Sequence, residues 1–255
     1  MKYSVVIPVH NEARILPITL PTVLKFEPDE IVIVFDRCTD KSYEVARKII
    51  RDHGFLDRFT PVFKRRPAPD WNHQLAHTRH IGFEKAKYDR ILNVSSDFFL
   101  KDDPRKHLHL LGKNRIGMIT YRYMDYTIFN FSSIPANILG RISKFLPIME
   151  PFTGMYAVYK PYWKAVGGFS KEITGCEDTY IYNALKRAGF KIIYAHDVSY
   201  YNTRVKHYPE RIFNIGFQYW KILRAPLWKA ILRSVVRGRP HFLKGYLAAR
   251  YSELR

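Results

Sequence analysis

Asp89-Arg90-Ile91-Leu92-Asn93-Val94-Ser95-Ser96-Asp97-Phe98-Phe99-Leu100 is the stretch that decides the architecture: an apolar run opens on charge, closes on a carboxylate and is followed at once by Lys101-Asp102-Asp103-Pro104. Ile91 to Val94 reads as a buried strand, with Asp97 just past its C-terminal end. In an open α/β sheet ligands sit at that end, so a carboxylate there can hold a divalent metal against a phosphorylated ligand. A turn or helix-cap aspartate is the plain alternative.

Working back toward the N-terminus, Ser4 to Ile7 reads as a strand stopped by Pro8, and His10-Asn11-Glu12 as the loop before a helix carrying Ile15, Leu16, Leu20, Val23 and Leu24, its first turns made irregular by Pro17 and Pro21. Glu30 to Phe35 is a strand without alternation, as expected when both faces are covered, and Asp36 ends it. Thr39 or Asp40 can cap the next helix, which runs through Val45, Ile49 and Ile50 to Gly54. Phe59 to Phe63 is a third strand, followed by Lys64-Arg65-Arg66. Trp71 to Lys85 has helical spacing. Strand and helix therefore alternate up to Asp97, which predicts an α/β half with right-handed crossovers. The absence of Gly-x-Gly-x-x-Gly after the first strand, and of a Walker loop anywhere, argues against dinucleotide oxidoreductases and P-loop ATPases.

Downstream, Ile116 to Tyr121 and Met155 to Tyr159 read as strands around a variable connection over 123–147, with a helical excursion over 134–145. Pro161 to Ala165 begins a short helix and Gly167-Gly168-Phe169 makes a tight turn. Gly175-Cys176-Glu177-Asp178 leads into a helix over Thr179 to Arg187 that stops at Gly189. Phe190 to Tyr194 is the last strand, and His196 follows it. The expected division is one α/β domain over 1–204 and a basic amphipathic helical extension over 205–255.

With 255 residues and 47% hydrophobic content, the chain can bury a full core. Cys38 and Cys176 make neither a disulfide framework nor a metal-spaced cluster. No apolar run is long enough to span a bilayer and Met1-Lys2-Tyr3-Ser4 leads straight into a strand pattern, so the expected location is the cytoplasm, including the cytoplasmic face of a membrane. The net charge of +19 calls for a polyanionic partner: nucleic acid, anionic lipid or a phosphorylated substrate. Aromatic residues spread through strands and helices, with no platform beside a basic groove, disfavour nucleic acid.

In order and interval these motifs resemble the inverting family-2 glycosyltransferases of the GT-A fold, over roughly Tyr3 to Arg204. The resemblance implies a mostly parallel sheet flanked by helices, a UDP- or GDP-sugar donor and a Mn²⁺ or Mg²⁺ cofactor. Val6-Ile7-Pro8-Val9-His10-Asn11-Glu12 is similar to the family's entry into the nucleotide site, which puts Pro8, Val9, Asn11 and Glu12 at the donor. Asp36 stands where members contact base or ribose, and Arg79 where a helix arginine is directed toward the phosphates. Ser95-Ser96-Asp97 occupies the place of the aspartate-any-aspartate metal motif, so Ser96 falls at the donor and Asp97 at both donor and metal. His196 matches a further metal ligand of some relatives. Gly167-Gly168-Phe169 followed by Glu177-Asp178 is similar to the acceptor segment and its catalytic acidic pair: Asp178 would be the base and Glu177 its support. One departure stands out, Ser95 in place of the first aspartate. It lends weight to a rival reading, a catalytically inactive nucleotide-binding or interaction protein of the same fold. The processive Gln-x-x-Arg-Trp segment is missing, which favours transfer of a single sugar to a glycan hydroxyl or a polyprenyl-phosphate or other lipid-linked acceptor.

Lys64, Arg65 and Arg66 are further candidates for phosphate contact, with ordinary surface as the alternative. From Arg204 onward twelve Lys and Arg residues face only Glu210 and Glu253. Pro209 can open a helix that Pro226 breaks; beyond it Trp228, Ile231, Leu232, Val235 and Val236 share one side, and Lys229, Arg233 and Arg237 another. That pattern suits a helix lying in an anionic membrane interface, with a hairpin that packs on the sheet or at a homodimer seam as the alternative.

Overall fold

The computed structural model describes residues 1–125 and 154–203, then 213–214, 216–217, 219–221, 224, 226–236 and 240–252. The expected helical excursion over 134–145 lies outside the described residues. An eight-stranded sheet has the order β3-β2-β1-β4-β7-β6-β8-β5. β1 (Ser4–Val9), β2 (Glu30–Asp36), β3 (Phe59–Lys64) and β4 (Arg90–Asn93) form its parallel half. β7 (Tyr156–Tyr159) runs against both β4 and β6 (Ile116–Asp125). β8 (Lys191–Asn202) is parallel to β6, and β5 (Phe98–Leu100) antiparallel to β8.

β1 continues through Pro8, where the sequence suggested a stop. Val6 directs its carbonyl to β4, accepting from Val94 N at 3.0 Å. Alternation points Pro8 the same way, but β4 pairs with β1 only as far as Val6. The missing N–H of Pro8 therefore costs no ladder bond.

Helices cover both faces. α1 (Leu16–Leu24) and α2 (Ser42–Asp52) lie over the core containing Val5, Ile7, Ile31, Ile33 and Tyr121. α3 (Gln74–Lys85), α5 (Lys160–Ala165) and α6 (Glu177–Arg187) lie over the core of Val6, Val32, Ile91, Met118 and Tyr156; the single-turn α4 (Arg105–Leu108) follows β5. Seating α3 depends on Gly82, because a Cβ there would come within 2.4 Å of Val6 Cγ1. Residues 71–73, expected to be helical, instead tie down a loop: Asn72 donates its backbone N–H to Lys171 O at 3.0 Å.

The extension contains α7 (Leu227–Val236), α8 (Pro240–Tyr251) and helical residues within 213–221. These gather around their own cluster of Tyr219, Ala230, Phe242 and Tyr246. Two glycines let backbones touch: a Cβ on Gly216 would lie 1.9 Å from Phe242 O, and one on Gly245 would lie 1.9 Å from Phe213 O. Trp228 and Ile231 remain exposed on α7. Among the described residues no helix is long and apolar enough to cross a membrane.

Candidate active site

At the C-terminal edge of β1, β2 and β4 lies a cavity of about 290 Å³, near the lower end of roughly 300–1,000 Å³ for small-molecule sites. Pro8, Val9, Glu12, Asp36, Ser96 and Asp97 all line it, together with Ser95. All of these except Ser95 were expected at the donor or metal; Asn11, expected with them, does not line the cavity. Its backbone is left-handed (φ 55°) and its Oδ1 accepts from Thr39 N at 2.8 Å, so it shapes the loop beside the site.

Asp36 ends β2 and is 6% exposed. Arg37 Nε donates to its Oδ1 at 2.7 Å, and Thr78 Oγ1 and Lys64 Nζ donate to its Oδ2 at 2.8 and 3.3 Å. Burial alone would raise its pKa, yet the hydrogen bonds from Arg37 and Thr78 and the charges of Lys64 and Arg37 hold the carboxyl below the usual range. Lys64, considered as surface or phosphate contact, is instead buried, because it is the last residue of β3 and registers directly against Asp36. Burial pulls its ammonium below the usual lysine range against the attraction of Asp36. Arg65 and Arg66 are exposed. Gln74 lines the cavity but is committed to the loop before α3, donating to Ala68 O at 2.8 Å and to Trp71 O at 2.9 Å.

The Ser95–Asp97 turn is held through its backbone. Thr19 Oγ1 donates to Ser96 O at 2.6 Å, and Thr203 donates from both N and Oγ1 to Asp97 O at 2.9 Å. Asp97 is thus a half-buried carboxylate on the cavity wall, presented by a loop anchored from α1 and from beyond β8. Among the described residues no group of three or more His, Cys, Asp or Glu side chains is arranged to hold an ion. An oxygen ligand such as Asp97 in the wall of this cavity still fits Mg²⁺ or Mn²⁺, which are commonly bound by one or two carboxylates plus substrate phosphate oxygens. His196 does not follow the last strand, as the sequence suggested, but lies inside β8. Pairing with β6 jumps from Tyr121–Ala195 to Arg122–Ser199, so His196, Asp197 and Val198 bulge from the ladder. The His196 ring packs on Tyr194, with centroids 4.0 Å apart.

The acidic pair occupies the first turn of α6, which starts two residues earlier than expected, and does not line the cavity. Glu177 is 6% exposed; Arg79 donates to its Oε1, and His73 Nε2 lies 3.0 Å from its Oε2. Arg79 does not itself line the cavity; its other terminal nitrogen donates at 3.1 Å to Ser95 Oγ, which does. Asp178 is half-buried and accepts at Oδ1 from Thr179 N at 2.7 Å. Burial pushes the Tyr156 hydroxyl up, with the Arg79 charge opposing and the Asp178 charge adding to the shift.

Sequence reasoning missed His73, Thr78 and Arg37. The first sits at the N-cap of α3 and the last directly follows Asp36, but neither position says which carboxylate it meets. Near the C-terminal end of β6, Arg122 Nε is buried without a hydrogen-bond partner among the described residues.

The glycosyl transferase family 2 model matches residues 4–163. The chain belongs to this family. The match covers β1 through most of α5, and hence the cavity, but stops before Glu177 and Asp178. A Haemophilus influenzae protein described as an uncharacterized glycosyltransferase is 31% identical over 124 residues, spanning 47% of this chain and 46% of that one, so the match reaches about half of the relative's length. Among solved structures, the mannosyltransferase PcManGT from Pyrobaculum calidifontis, in complex with GDP-Man and Mn²⁺, superposes with a TM-score of 0.68 at 19% identity, covering 98% of this chain and 74% of that one. S. aureus TarS 1-349 in complex with UDP-GlcNAc gives 0.60 at 16% identity, covering 97% and 73%. At those identities the family-2 chain shares their GT-A fold, and no more is carried across.

Proposed function

We propose that this family-2 chain is a metal-dependent inverting glycosyltransferase that moves one sugar from a UDP- or GDP-linked donor to a hydroxyl or lipid-phosphate acceptor. The observation that carries the reading is the cavity at the strand ends, which has an ionised, cation-bound carboxylate, Asp36, and a second carboxylate, Asp97, in its wall. The ligands of PcManGT and TarS, GDP-Man with Mn²⁺ and UDP-GlcNAc, support the donor class.

Asp36 would accept hydrogen bonds from base or ribose, with Pro8, Val9 and Glu12 forming the adjoining wall. Asp97 would hold the cation together with donor phosphates, with His196 proposed as a second ligand. When bound, the cation neutralises charge that builds on the diphosphate as its bond to the sugar breaks. Asp178 would take the proton from an acceptor hydroxyl as the oxygen bonds to the anomeric carbon; the electron pair of the breaking carbon–oxygen bond leaves with the nucleoside diphosphate. An acceptor phosphate is already anionic and would need only positioning.

A screen of the purified protein against UDP- and GDP-sugars with Mn²⁺ or Mg²⁺, reading both hydrolysis and binding, tests this. Metal-dependent turnover lost in Asp97→Ala is expected. Nucleotide binding without turnover would favour the inactive reading, for which Ser95 is the specific support. For the extension we propose peripheral attachment to an anionic membrane surface, supported by exposed Trp228 and Ile231 beside a strongly cationic segment. Salt-sensitive co-sedimentation with anionic but not neutral liposomes is expected, and a dimer in solution without lipid preference would reassign that face to oligomer packing.

A further inference from the structure

We propose that His73 and Ser95 are positioning residues that act through Arg79 and Glu177 to set where α6, and with it Asp178, stands relative to the donor cavity. The inference rests on the glycosyltransferase reading for its catalytic meaning.

The contacts form one continuous path. Ser95 is in the cavity wall, its Oγ accepts from Arg79 at 3.1 Å, Arg79 pairs with Glu177, and Glu177 immediately precedes Asp178 in the first turn of α6. His73 closes the path by engaging the other oxygen of Glu177 at 3.0 Å. Both holders belong to α3, His73 as its N-cap and Arg79 within it, and Gly82 seats that helix against β1. α3 is thus the rigid reference from which α6 is placed. The entry to α6 needs such a hold, because Cys176 precedes it in a left-handed conformation (φ 55°) that a non-glycine residue adopts at a cost.

Ser95 matters because it is neutral. Its hydroxyl accepts one hydrogen bond and leaves the guanidinium charge to Glu177. A carboxylate at position 95 would offer Arg79 a second anion in a buried setting, where unit charges interact far more strongly than in water. Arg79 would then be divided between the cavity wall and α6. Restoring an aspartate at this position is therefore expected to impair turnover, even though it adds a potential metal ligand.

The test is made on the full chain in a Cys38→Ser background and compares His73→Ala, His73→Gln, Ser95→Ala and Ser95→Asp. Steady-state donor hydrolysis and transfer should show kcat lowered about tenfold or more in His73→Ala and Ser95→Asp, with donor KM and the calorimetric Kd for UDP or GDP changed less than about threefold, a split that a purely structural brace would not produce. His73→Gln, which can still donate to Glu177, should retain most of kcat, and Ser95→Ala should fall between. A second readout needs no turnover: the rate at which a thiol reagent modifies Cys176 reports opening at the start of α6. It should rise severalfold in His73→Ala and Ser95→Asp but not in His73→Gln. Equal labelling in all variants, unchanged or raised kcat in Ser95→Asp, or equal impairment of His73→Ala and His73→Gln would overturn the proposal. Absence of wild-type turnover with every UDP- and GDP-sugar would instead overturn the functional reading, and the labelling would still decide whether these residues hold α6.

Discussion

Asp36 and Glu177 are both buried carboxylates held by basic side chains, and their surroundings differ. Asp36 ends a strand, lines the cavity, and is covered on one side by Arg37, whose side chain is 35% exposed. Glu177 opens a helix, lies off the cavity, and is paired with Arg79, whose side chain is 4% exposed. A ligand can therefore compete for Asp36 by displacing a side chain that water already reaches. Reaching Glu177 would mean breaking a buried ion pair and freeing α6 from α3. On the proposed function the same chemical group would serve recognition in one place and architecture in the other, and what separates them is the exposure of the partner.

The sharpest way to break this comparison is at Asp178, which no buried ion pair holds among the described residues. Asp178→Asn should lower transfer to a hydroxyl acceptor by about 10²-fold or more, as expected for loss of a general base, with nucleotide binding retained. Kinetics equal to wild type would remove Asp178 from the chemistry. Arg79→Ala should act on the fold, because it leaves Glu177 buried without its main counter-charge. A loss of about 3–5 kcal/mol in urea unfolding is typical for such a break, and a loss below 1 kcal/mol would mean that Glu177 is not an architectural carboxylate. Asp36→Asn keeps the shape but removes the charge. It should weaken UDP or GDP binding by about tenfold or more, on the scale of hydrogen bonds to charged groups, and calorimetry showing unchanged affinity would move the donor away from this cavity.

The smallest effect concerns α3, which supplies a partner to each carboxylate. Burial, aided by the charge of Lys64, holds His77 below its ordinary pKa, and burial does the same to His80, which packs with tilted rings between Trp71 and Trp163. With folded values below the unfolded value of about 6.5, the unfolded chain binds more protons in this window, so stability is present above about pH 6.5 and is lost as pH falls. Melting temperature should drop between pH 7.5 and 5.5, and His77→Phe/His80→Phe should flatten that drop. A double variant with the wild-type slope would show that other groups carry it.

Much of the fold was legible because burial leaves a periodic trace. Unalternating runs such as Ile31 to Phe35 announced strands covered on both faces, and Asp36 and Asp97 could be placed at strand ends from the residues around them. Boundaries were harder. Pro8 looks like a terminator until one sees that its missing N–H faces a neighbour that has already ended, and β8 runs on to Asn202 through a bulge that no local pattern reveals. The acidic pair was legible as a pair. Its division of labour was not, since adjacent acids at a helix start carry the same local signature.

Sequence by itself determined the α/β alternation, the carboxylates at the strand ends, the acidic pair and the cationic extension, because each depends on residues close together in the chain. Only the tertiary structure decided that Lys64 is a buried partner of Asp36, that Arg79 joins Ser95 to Glu177, and that His73 meets a residue 104 positions away. The physical reason is that a charged side chain reads alike in sequence whether it is solvated or paired. Its role is set by which opposite charge the sheet and helices bring within hydrogen-bond reach, and by how much water they leave between the two.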